Sequence, residues 1–216
     1  MLKIIIASMI AYLPVNAMRV FAYRTVFKYS IQRSYIGIGT IINVEKFQMT
    51  DSRIGRFNLF NGPFKVILKN KSSIGMSNKF ICGNWTTDKE YSGSRYQRLL
   101  ELGKRSMITS EHFFDIAGQF ILGEGSWIAG RASQFWTHGA GVQDRDIKIG
   151  DNCYLGSAVR FSPGAEIGNN VLVAMGSVVS GKHISNKILL GGVPAKTIRE
   201  NYDWKNQNNS ETDNIT

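Results

Sequence analysis

The chain has 216 residues, enough for one domain with a substantial buried core, and its apolar and charged fractions, 43% and 19%, are those of a soluble globular protein. Basic residues outnumber acidic ones by ten, so the surface attracts anions, whether nucleic acid, anionic lipid or a phosphorylated ligand; no recognised nucleic-acid-binding motif is present. The two cysteines, Cys82 and Cys153, lack metal-type spacing, which excludes a disulfide framework and points to a reducing, cytoplasmic setting.

The N-terminus, MLKIIIASMIAYLPVNA, imitates a short signal peptide but is too short to span a bilayer. The following MRVFAYRTVFKYSIQR keeps the same interleaving of aromatic and basic residues without a composition break. Residues 1–35 are therefore predicted to be an amphipathic helical segment that packs on the domain or rests on the anionic inner face of a membrane.

A period of six then takes over. From residue 149 the chain reads IGDNCY LGSAVR FSPGAE IGNNVL VAMGSV VSGKHI. Each block opens with a bulky apolar residue (Ile149, Leu155, Phe161, Ile167, Val173, Val179) and continues with a small one. Six is neither a helix nor a strand period; it suits short strands joined at corners, three blocks to a coil of eighteen, with residues eighteen apart stacked one strand spacing away. Ile149 is expected over Ile167 and Leu155 over Val173. Fainter traces reach back through Ile128, Leu122, Ile74, Ile54, Ile42 and Ile36, with one polar miss at Gln48.

Two stretches depart from the beat. Residues 84–105 are polar and predict a loop protruding from the solenoid, with a short helix over Tyr96–Leu102, and such loops mark binding edges. Ile128 and Ile149 are 21 residues apart, three more than a coil, so a bulge carrying His138 is expected between Gln134 and Ile149. The domain proper is predicted at 36–195, followed by a C-terminal tail over 196–216 whose polar end, residues 201–216, is expected to fray.

The block pattern resembles that of the hexapeptide-repeat acyltransferases, and LLGGVPAKTIRE (189–200) resembles their terminal signature. ITSEHFFDIAGQFILGEGSWIAGRASQFWTH (108–138) is similar to the branch of sugar O-acetyltransferases in polysaccharide biosynthesis. The resemblance implies an all-β, left-handed parallel β-helix, a homotrimer with sites between subunits, acetyl-CoA as donor, and a sugar or glycan acceptor. It departs in the turn SGKHISNK, which lacks a proline common there, and at Gln134, which breaks an aliphatic column.

The same resemblance makes His138 the general base, since relatives carry theirs in a matching TH or GH segment. A neutral imidazole can take the proton of a hydroxyl that is otherwise a poor nucleophile. By position it sets Gly156 and Ser157 at the thioester, Met175, Gly176 and Gly192 along the pantetheine arm, and Lys196 and Arg199 near the phosphates. SEHFFD sets Ser110, His112 and Asp115 at a motif position of that branch: Asp115 either fixes the His138 tautomer or holds a sugar hydroxyl, His112 is the next catalytic candidate and could line the acceptor cleft, and a plain turn-stabilising role for the stretch is equally open. His183 is expected to be a surface residue and Cys153 a small corner residue. A zinc site of three histidines is not supported, because His112, His138 and His183 are 26 and 45 residues apart. N-acylation of an amino sugar and a non-catalytic assembly platform remain as alternatives.

Overall fold

A hexad folds into a strand of two or three residues and a tight corner, and three such units close one coil. The computed structural model describes residues 2–94 and 96–206 and shows these coils stacked in parallel as a three-faced β-helix. The first face stacks Ile41–Thr50 and Leu59–Leu68 (through their N-terminal halves), Lys79–Ile81, Phe113–Asp115, Gln134–Phe135, Arg160–Phe161 and Val178–Val179. The two ten-residue strands turn a corner and also open the second face, which continues through Leu99–Leu102, Gln119–Leu122, Ile147–Ile149, Glu166–Ile167 and Lys182–His183. The third face runs from Tyr35–Ile36 to Leu189–Gly192.

Ile149 pairs with Ile167 and Leu155 with Val173, as the period requires. The opening residue of each hexad points inward, and its small follower lets the next coil approach. A Cβ on Gly150 would meet the Gly168 carbonyl oxygen at 2.4 Å. The core carries a column of phenylalanines, Phe47, Phe60, Phe80, Phe114, Phe135 and Phe161, with successive ring centroids 4.5–6.0 Å apart. All are buried, and offset aromatic contact adds to the burial of their area.

Several expectations need correcting. The inward position in the second coil is Phe47, not Gln48, because the ladder shifts register between Val44 and Lys46. Ile128 pairs with Leu155, and Ile149 with Leu122, so the coil bearing His138 is 27 residues long and its surplus is nine, not three. The expected helix over 96–102 is absent: Leu99–Leu102 is a strand, because Leu100 and Leu102 alternate inward and stack on Val66 and Leu68. The protruding segment therefore ends at Arg98, not 105, and folds as two 3-10 turns, Asn84–Thr87 and Lys89–Ser94. Strand pairing already begins at Ser30–Gln32, before residue 36. Nor is the tail frayed where it is described. Ala195–Arg199 returns as an antiparallel strand, and Trp204 stacks 5.3 Å from Tyr154 and donates its indole N–H to the Asn152 carbonyl. The rest of the tail, 207–216, lies outside the described residues.

Two helices, α1 (Leu2–Ala11) and α2 (Asn16–Val26), close the N-terminal end. Ala7, Ile10, Ala11 and Tyr23 are buried on the first coil. The Tyr23 hydroxyl accepts from the Ile42 amide at 3.1 Å and lies 3.0 Å from the Thr40 carbonyl. Buried Arg19 donates to the carbonyls of Ile36 and Leu13. The cap thus satisfies backbone groups that an open end of a parallel stack would leave unpaired.

His112 is part of this framework and does not line a cleft. It is 2% exposed. Its Nδ1 accepts from the Ser133 amide at 3.1 Å, so Nε2 carries the proton and faces Thr109 Oγ1 at 2.9 Å. Burial pushes its pKa down to about 4. The unfolded chain, with a histidine near 6.5, binds more protons between these values. Stability should fall as pH drops from about 6.5 to about 4 and this contribution should then level off; urea midpoints across that window should show a shallower slope for His112→Gln. Phe114→Ala, which opens the middle of the phenylalanine column, should cost roughly 3–5 kcal/mol in the same titration.

Candidate active site

The bulge that carries His138 runs over residues 136–146, between strands of the first and second faces. One coil earlier, Asp115 ends the strand Phe113–Asp115 and is itself buried. Its Oδ2 lies 2.8 Å from His138 Nδ1 and accepts from the Thr137 amide at 2.9 Å, with the Thr137 hydroxyl at the same distance. A carboxylate can only accept, so His138 Nδ1 must donate and Nε2 is left with its lone pair outward. The imidazole side chain is 41% exposed, whereas that of Asp115 is 8% exposed. The base of the bulge is fixed by the Gly118 amide on Thr137 Oγ1 and the Gln119 amide on Asp146 Oδ1, both at 2.8 Å.

A second surplus segment meets the first. Phe80 pairs with Phe114, 34 residues on, and the extra residues leave the solenoid after Lys79–Ile81. Both extrusions therefore exit at the corner between the first and second faces, on coils that flank the strand of Asp115. Trp85, on the first of them, sets its ring 5.5 Å from the His138 ring. Tyr91 and Tyr96 stand edge to face with Trp85 at 5.3 and 5.2 Å, and the Arg145 guanidinium covers Tyr96 at 4.1 Å. Thr86 ties the turn down by donating to the Gly83 carbonyl. Behind the aromatic cluster lies a cleft of about 430 Å³ lined in part by Glu45, Asp88, Tyr91, Tyr96 and Arg98. Sequence reasoning gave Trp85 no role; the signal was a hexad-free stretch holding Trp85, Tyr91 and Tyr96 within twelve residues.

The residues expected along the acyl donor gather at another corner, between the third and first faces. Gly156–Ser157 and Met175–Gly176 follow the strands Tyr154–Leu155 and Leu172–Val173, and Gly191–Gly192 end the strand Leu189–Gly192 that pairs next. Gly156 has no room for a side chain, since a Cβ would stand 2.8 Å from the Met175 amide nitrogen. Met175 is exposed, and Gly176, with φ of 73°, faces open space. Lys196 and Arg199 lie exposed on the final strand, with Arg199 over the Tyr202 ring. On earlier coils this corner opens into a groove of about 520 Å³ lined in part by Arg53, Arg56, Met76 and Ser110. Ser110 also accepts from the Met76 amide, so it braces that turn. In one chain, then, the His138–Asp115 pair and this strip occupy opposite edges of the first face.

The remaining groups are structural. His183 is partly exposed at the end of the second face, with Nε2 3.1 Å from the Ser180 carbonyl. Burial pushes the thiols of Cys82 and Cys153 up to about 11, which keeps both protonated and unreactive.

Residues 146–181 match the family model described as bacterial transferase hexapeptide (six repeats). Over 54 residues the chain is 43% identical to galactoside O-acetyltransferase of Escherichia coli (strain K12), a stretch that is 25% of this chain and 26% of that protein; it thus matches only about a quarter of the relative's length. Among solved structures, the polySia specific acetyltransferase NeuO aligns with a TM-score of 0.51 at 16% identity, over 82% of this chain and 83% of that one. A variant of AntD, an N-acyltransferase from Bacillus cereus in complex with dTDP-4-amino-4,6-dideoxyglucose and Coenzyme A, aligns with a TM-score of 0.50 at 14% identity, over 90% and 94%. Likeness at such identities speaks for the fold, the left-handed parallel β-helix expected from the repeat. In its repeat over residues 146–181 and in fold, the chain is similar to the hexapeptide-repeat transferases.

Proposed function

We propose that the protein is an acetyl-CoA-dependent O-acetyltransferase that acts on a sugar hydroxyl in cell-surface polysaccharide biosynthesis. One observation carries the reading: a half-exposed imidazole, oriented by a buried carboxylate, on a bulge walled by Trp85. His138 Nε2 takes the acceptor hydroxyl proton as that oxygen bonds to the thioester carbonyl carbon. Asp115 steadies the imidazolium through Nδ1–H, as in other oriented histidine bases. His138 then returns the proton to the departing sulfur, so that the products are the sugar acetate and the free thiol. The Gly156 N–H is spent on the Val173 carbonyl, which leaves the Ser157 N–H as the backbone donor suited to the developing oxyanion. The ring of Trp85 offers an apolar surface to the C–H face of a sugar.

Because the base and the donor strip lie on opposite edges of one face, the reading includes a homotrimer in which the strip beside each His138 comes from a neighbouring copy. Lys196 and Arg199 supply charge for the coenzyme phosphates. The likeness to NeuO and to the galactoside enzyme favours transfer to oxygen, and the likeness to AntD favours an amine acceptor as the second reading. Incubation with acetyl-CoA and a panel of oligosaccharides, nucleotide sugars and amino sugars, followed by mass spectrometry, separates the two. An ester product is released by mild base; an amide is not.

His138→Ala should lower turnover by about 10²–10⁴, the usual contribution of a general base, with the fold and coenzyme affinity retained. Near-normal turnover in a folded variant would refute the mechanism. Lys196→Ala should raise KM for acetyl-CoA and leave saturated turnover close to that of the parent, because a remote phosphate contact binds ground and transition states alike; steady-state kinetics with varied acetyl-CoA check this.

A further inference from the structure

The N-terminal cap presents a surface that nothing among the described residues covers. Helix α1 turns Ala7, Ile10 and Ala11 onto the first coil, yet Leu2, Ile5, Met9 and Tyr12 recur at helical spacing on its opposite side. Leu2 and Met9 are each 70% exposed. On α2, Met18 and Phe21 are exposed on the side away from buried Arg19 and Tyr23, with Phe21 at 71%. Of the 16 large hydrophobic side chains exposed among the described residues, eight fall within the first 26 positions. Scattered apolar residues are normal on a soluble surface; a row of this density marks an interaction site. A surface helix that is apolar on both sides has a second environment to enter.

Charge identifies that environment. No aspartate or glutamate occurs before Glu45, whereas Lys3, Arg24 and Lys28 are exposed in the same segment. Of the segment's other cations, Arg19 is buried and Arg33 is paired with Asp51 at 2.6 Å. Two copies of the surface set face to face would bring their cations together with no carboxylate between them. A layer of anionic headgroups would neutralise them and accept the apolar row below. At ten and eleven residues, neither helix is long enough to cross a bilayer.

We propose that the α1–α2 cap docks the protein end-on to anionic membrane lipid, with Leu2, Ile5, Met9 and Phe21 in the boundary between headgroups and acyl chains. The coils then rise away from the bilayer. Phe135, which precedes the His138 bulge, is four strand pairings beyond Ile42 of the first coil, or about 20 Å at one strand spacing each. Docking would hold the corner of His138 at a fixed height above the membrane surface. The inference stands apart from the acyl-transfer reading and survives its failure.

The test is sedimentation of the full chain with vesicles of phosphatidylcholine, with and without phosphatidylglycerol. Binding is expected only to the anionic vesicles, and added salt should weaken it. Met9→Asp/Phe21→Asp should reduce the bound fraction by about tenfold or more, since it removes two buried apolar groups and adds repelled charge. Arg24→Glu/Lys28→Glu should weaken binding without altering the apolar row. Circular dichroism, thermal melting and light scattering on each variant establish an intact fold and assembly. Failure to sediment with either vesicle, or equal sedimentation with both, would overturn the proposal. So would dissociation of the assembly by Met9→Asp/Phe21→Asp, which would make the surface an interface between copies. Loss of acetyl transfer with vesicle binding retained would count against the enzymatic reading alone.

Discussion

Every feature of this protein answers to the stacking of one coil on the next at a single strand spacing. When coils repeat every eighteen residues, each side chain lies over its own counterpart, and Ile149–Ile167 and Leu155–Val173 show that register directly. A coil that carries more residues cannot absorb them inside, because the prism is already filled by the one or two inward residues of each face. The surplus must leave at a corner. The candidate base and its wall therefore stand where the count departs from eighteen, and the two large departures leave at the same corner on coils that flank the strand of Asp115.

Those two extrusions divide the work of building a site. The bulge over 136–146 brings an imidazole to the carboxylate, and the segment over 83–98 brings an indole to the imidazole. Neither is free-standing. Arg145, buried at the foot of the bulge, lies over Tyr96 of the other segment, so each extrusion packs against its neighbour. A histidine on an isolated loop would lose its orientation to conformational entropy; here Thr137 holds Asp115 through its backbone amide one residue before His138.

The sequence made the solenoid legible because corners and inward positions recur, and recurrence is visible without any structure. It made His138 legible because the beat fails there, although the size of the failure was misjudged. Counting from Ile128 to Ile149 assumed that these two residues stack, whereas each pairs with a different partner, and a repeat alone does not reveal which face an inserted segment leaves from. Phe47 was hidden for a related reason: a shift between Val44 and Lys46 moves the inward position by one residue, and a strict count then lands on Gln48. His112 and Asp115 stood in one motif with equal claims. Both are buried, and their hydrogen bonds separate them: His112 spends both ring nitrogens on the framework, while Asp115 offers an oxygen to the bulge.

The width of a face sets the last constraint. Along the coil, Ser157 precedes the Arg160–Phe161 strand and lies at its entry corner, whereas His138 follows Gln134–Phe135 and lies at the exit corner of the same face. A strand advances about 3.3 Å per residue, so the two corners stand on the order of 10 Å or more apart across the face. A thioester lying along the strip of one chain would not meet an acceptor oxygen held at His138 of the same chain. In the proposed homotrimer, a threefold arrangement would turn the exit corner of one copy toward the entry corner of the next. The width of the face would thus oblige the chemistry to be shared between chains.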